Sequence, residues 1–102
     1  MAKYMVLHTF KRSADEFARL AGPAKMGQWA TVLSHGSQAR CLRTWNPYQH
    51  GRKDYVFCLW EATSPDAIRK AVEQTEIGDF LNLDIMQVDE IDWSALAAQA
   101  HA

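Results

Sequence analysis

Hydrophobic spacing along this chain switches between two repeats, and the order of those switches limits the possible folds. Lys3–Phe10 alternates with the two-residue period of a strand, whereas Ser13–Leu33 carries the spacing of a helix. Ala39–Trp45 and Asp54–Ala62 return to strand character, Ser64–Thr75 is helical again, and Leu83–Ile91 closes as a strand. The order is βαββαβ, a split βαβ plan.

Such an order predicts an α+β, ferredoxin-like domain: a four-stranded antiparallel sheet with both helices on one side. With 102 residues there is room for one domain, spanning 1–102, with 93–102 as a tail or short helix. Within the long helical stretch, Gly22-Pro23 forces a kink or restart, because Pro23 has no amide to donate. Ser13-Ala-Asp-Glu16 reads as a capping box, and His35-Gly36 as a helix end with Gly36 in the left-handed cap conformation. Thr63-Ser-Pro-Asp66 opens the second helix, and Gly78 marks its expected stop. Ile77, Phe80 and Leu81 read as a short extra turn before the last strand.

A net charge of −1 and the lack of any basic stripe argue against nucleic acid as a partner. No apolar run approaches the ~20 residues that span a bilayer, and the N-terminus lacks a signal-peptide pattern, so no membrane association and a cytoplasmic location are expected. Cys41 and Cys58 have no zinc-type spacing; they read as free thiols, with a cross-strand disulfide geometrically conceivable.

Alternation also assigns sheet faces. Met5, Leu7, Val56, Cys58, Trp60, Met86 and Val88 are expected under the helices. Tyr4, Val6, His8, Phe10, Leu42, Tyr55, Phe57, Leu59, Glu61, Gln87 and Asp89 are expected on the bare side. That second set is too apolar to face water over one surface, so a homodimer joined sheet to sheet is expected, with a pocket on the open face.

His8 is the first candidate for chemistry. It sits mid-strand among large apolar side chains, where an imidazole can act as acid, base or metal ligand near neutral pH. Glu61 shares its assigned face, so a catalytic His8–Glu61 pair is expected if the register joins them. Tyr4, Phe10, Tyr55, Phe57, Arg43 and His50 are the candidate ligand-binding residues. No glycine-rich phosphate loop, nucleophile elbow or H-x-x-x-H pattern occurs.

Tyr4-Met-Val-Leu-His8 and Phe57-Cys-Leu-Trp-Glu-Ala-Thr-Ser-Pro-Asp-Ala-Ile68 resemble segments of the small dimeric α/β-barrel, ferredoxin-like proteins, and among them a branch of uncharacterised and nickel-binding members. The resemblance implies that His8 matches a strand-one histidine, with Cys58 and Glu61 matching the third strand, which makes His8, Glu61 and Cys58 the candidate metal ligands. The wider superfamily holds isomerases, cofactor-free monooxygenases and haem-handling enzymes, and fold alone does not choose among them. The leading expectation is a homodimeric protein that binds a small ligand or metal ion; the cofactor is left open. The alternative is a small cofactor-independent isomerase or monooxygenase with His8 as general acid–base. A third reading is an interaction subunit with a filled interface and no cavity beside His8.

Overall fold

A computed structural model of the chain describes residues 1–101. Four strands form a single antiparallel sheet: β1 (Ala2–His8), β2 (Ala39–Trp45), β3 (Val56–Ala62) and β4 (Asp84–Val88), in the order β2-β3-β1-β4. The two central strands come from opposite halves of the chain, as a ferredoxin-like βαββαβ fold requires. α1 (Ala14–Leu20) and α2 (Pro23–Ser34) follow β1; α3 (Pro65–Glu73) and α4 (Ile77–Phe80) follow β3; α5 (Trp93–Ala100) ends the chain.

The helix starts follow local chemistry. Ser13 Oγ accepts from the Glu16 amide, and Pro23 opens α2 at its first turn, where its missing N–H costs nothing. The return bond from the Glu16 carboxylate is not made among the described residues, so half of the expected capping box forms. Ser64 caps α3 through the Ala67 amide, and Asp92 caps α5 through the Ala95 amide. α3 ends at Glu73, and Gly78 lies inside α4 rather than stopping α3. Gly36 does not take the left-handed conformation; a Cβ there would run into the Ala39 carbonyl oxygen as the chain turns into β2. The left-handed glycine is Gly51 (φ 88°), which closes the loop after the 3-10 turn Tyr48–His50.

Register settles the faces. Tyr4 stands opposite Trp60, Val6 opposite Cys58 and His8 opposite Val56, so these six share the helix-covered side. Val6, Trp60 and Ile68 of α3 are fully buried there, each contributing roughly 1.5–3 kcal/mol through burial. The expected faces of β1 and β4 are therefore inverted: Met5, Leu7, Met86 and Val88 lie on the bare side, and Tyr4, Val6, His8 and Gln87 on the covered side. Val56, Cys58 and Trp60 under the helices, and Phe57, Leu59 and Glu61 on the bare side, agree with the sequence reading. The cause of the inversion is simple. Both faces of β1 are apolar, so alternation alone gives no phase, and the pairing with β3 sets it.

Candidate functional site

A cavity rich in aromatic and aliphatic side chains lies between the sheet and the first two helices, not on the open sheet face. Its volume is about 450 Å³, within the usual range for small-molecule sites. Apolar walls come from Phe17 of α1, from Met26, Trp29 and Leu33 of α2, and from Phe10, Val56 and Leu81. The space exists because Ala14, Ala18, Ala21 and Ala30 present short side chains where the Gly22–Pro23 break separates α1 from α2. Phe17 stacks on Trp29, with ring centroids 5.7 Å apart and planes 4° from parallel. Trp29 is fixed from its other end by donating its indole N–H to Glu76 Oε2 at 2.8 Å. Lys25 Nζ donates to the other Glu76 oxygen at 2.7 Å, and these two donors hold the Glu76 pKa at about 2.

Polar lining comes from Ser34, Arg43, Thr44, Asn46, Tyr48, Gln49, Cys41 and Cys58. A bulge between Cys41 and Arg43 shifts the β2 register by one residue and brings Leu42 into the wall. The loop after β2 is tied to α1 through Asp15, which accepts from Tyr48 Oη at 2.6 Å and Lys53 Nζ at 3.0 Å. The Tyr48 hydroxyl, then Lys53, hold the Asp15 carboxyl below the usual range.

The expected His8–Glu61–Cys58 group does not assemble. His8 is buried on the covered face and donates from Nδ1 to the Asn82 carbonyl at 3.1 Å, which leaves Nε2 as the basic nitrogen. Burial lowers its pKa, opposed in part by that hydrogen bond. Glu61 lies on the opposite face, across from Lys3, where it accepts from Arg40. Among the described residues no three His, Cys, Asp or Glu side chains converge as a metal site. Of the candidate ligand contacts, Phe10 lines the cavity, and Arg43 borders it from the β2 bulge at a position paired with Leu59 of the bare face. Tyr4 is core, Tyr55 and Phe57 pack together with centroids 5.9 Å apart, and His50 is exposed in the loop. His8 does not line the cavity, but its cross-strand partner Val56 does.

Sequence reasoning missed Phe17, Met26, Trp29, Leu33, Cys41 and Thr44 as site residues. The signal was present in the alanines interleaved with aromatics across α1 and α2, which cannot close against a sheet without leaving space.

No protein-family model matches the chain, and no curated protein matches it in sequence. Among solved structures it is similar to SnoaB, a cofactor-independent oxygenase from Streptomyces nogalater. The TM-score is 0.50 at 13% identity, over 89% of this chain and 93% of that one. No helix among the described residues is long and apolar enough to cross a membrane. The strand order and this likeness together establish a ferredoxin-like α+β fold.

Proposed function

We propose that this protein binds a small, flat, largely apolar molecule in the cavity between the sheet and α1–α2, and does so as a homodimer. The cavity carries the reading: about 450 Å³, walled by Phe10, Phe17, Trp29 and Leu33, with hydroxyl, amide and thiol groups along β2 and its following loop. Stacked aromatics favour a planar occupant, and the polar wall orients it. Dimerisation is supported by the bare face, where Trp45 and Met86 are 42% and 44% exposed beside Met5, Leu7, Phe57 and Leu59. Shielding such a patch with the same patch of a second copy gives a closed two-fold assembly.

Titration with 1-anilinonaphthalene-8-sulfonate tests the binding reading. Saturable fluorescence enhancement with one site per chain is expected, and Ala30→Trp, which fills the cavity, abolishes it. No enhancement with the wild type, or an unchanged titration in Ala30→Trp, contradicts it.

The second reading is a cofactor-independent oxygenase acting on the cavity's occupant; His8, buried behind the wall, is not its base. The likeness in fold to SnoaB supports it. Its test is oxygen uptake with a bound phenolic compound; turnover by the wild type that is lost in the cavity-filling Ala30→Trp is the expected result, and no uptake by the wild type contradicts it.

A further inference from the structure

We propose that Cys41 and Cys58 form a reactive thiol pair in the cavity wall, in which Cys41 is a nucleophile toward α,β-unsaturated carbonyl compounds that enter it. Both cysteines are free and both line the cavity. The Thr44 hydroxyl sits between them, 3.7 Å from Cys41 Sγ and 3.1 Å from Cys58 Sγ. Cys41 is the less buried of the two.

The register argues for a thiol–thiolate pair rather than a disulfide. Thr44, not Cys41, stands opposite Cys58, while Cys41 pairs with Trp60. Diagonal cross-strand positions lie roughly 7–8 Å apart, too far for a bridge without backbone movement. A sulfur anion at Cys41 is instead favoured by its neighbours: Cys58, then the Thr44 hydroxyl, draw its pKa below the ordinary thiol value. The same interaction, with burial, pushes the Cys58 thiol up, so Cys58 keeps its proton. Cys41 therefore carries more thiolate at neutral pH than an ordinary thiol does.

The apolar walls favour the electrophile: a planar enone or quinone buries its ring system against Phe17, Trp29 and Leu33. The Cys41 sulfur lone pair forms the S–C bond at the β-carbon as the C=C π pair shifts onto the carbonyl oxygen. Water then gives a proton to the α-carbon, restoring the carbonyl and leaving hydroxide. Nothing is oxidised or reduced.

This proposal rests on the cavity being open to small molecules, so binding and labelling are read separately. N-ethylmaleimide at limiting concentration, followed by peptide mass spectrometry, is expected to mark Cys41 before Cys58, with a half-maximal rate at a pH below that of an ordinary thiol. Saturating 1-anilinonaphthalene-8-sulfonate slows the labelling. Cys58→Ala moves the midpoint toward the ordinary thiol value and slows labelling at pH 7 several-fold; Thr44→Val gives a smaller shift in the same direction and serves if Cys58→Ala does not fold. Labelling of Cys58 first, a Cys41 midpoint near 8.5 in the wild type, or a rate indifferent to the bound fluorophore overturns the proposal. Fluorophore binding without Cys41 labelling overturns it while leaving the binding function intact.

Discussion

His8 stands opposite Val56 in the pairing of β1 with β3, and this places the imidazole behind the cavity wall rather than beside the Glu61 carboxylate. The consequence is a neutral, buried histidine with a fixed Nδ1–H bond to the Asn82 carbonyl.

Stability should therefore fall on mild acidification. Burial holds the folded pKa of His8 below 6.5, so in the interval between the folded and unfolded values the unfolded chain binds the extra proton. Stability is full above about pH 6.5 and declines as pH drops toward the folded value. Urea denaturation at pH 7.5 and 5.5 measures the decline, and His8→Gln flattens it. A wild type equally stable at both pH values contradicts the assignment.

The link from Trp29 to Glu76 connects the cavity wall to the turn between α3 and α4. Trp29→Phe keeps the stacking on Phe17 but loses the hydrogen bond, so the melting temperature drops by a few degrees and the pKa of Glu76 rises from about 2. Because that carboxyl is depressed in the folded state, its stabilisation is present above pH 4.5 and is lost as pH falls toward 2. NMR titration of the Glu76 side chain measures the rise; an unmoved value contradicts it.

Ile68 of α3 is fully buried against the covered face. Ile68→Ala leaves a cavity that the rigid sheet cannot close, costing about 2–5 kcal/mol. Equilibrium urea unfolding gives the figure, and a cost under about 1 kcal/mol would show that α3 does not seal the core as described.

Leu59 lies in the middle of the bare face, opposite Met5 on β1 and Arg43 on β2. Leu59→Asp puts a charge into the seam of the proposed dimer without touching the core. Sedimentation velocity is expected to show a dimer for the wild type and a folded monomer for the variant. A wild type that sediments as a monomer at micromolar concentration refutes the assembly.

The element order, the break at Gly22–Pro23, the bounds of β2, the cap at Ser13 and the helix start at Thr63–Asp66 were all legible in the sequence. These depend on local chemistry: a missing amide, a hydroxyl near an unpaired N–H, a switch of period. The candidate site was not legible, because it depends on phase between distant strands. Tyr4-Met5-Val6-Leu7 is apolar on both faces, so nothing within β1 says which face meets the helices. The pairing with Val56–Ala62 decides it, and that pairing moved His8 away from Glu61. The bulge after Cys41 was equally silent, although it sets which β2 residues reach the cavity. Trp93 and Leu96 illustrate the same limit, since the terminal helix forms with both exposed, at 74% and 47%.

The central claim is that small apolar molecules bind under the helices and not on the open sheet. The chain has four tryptophans, and each reports a different place: Trp29 the cavity, Trp60 the core, Trp45 the bare face and Trp93 the terminal helix. Indole N–H resonances followed by NMR during titration with 1-anilinonaphthalene-8-sulfonate measure the binding location directly. A saturable shift of the Trp29 signal, with Trp45 and Trp93 unmoved, is the predicted result. Movement of Trp45 with Trp29 unchanged would contradict the account.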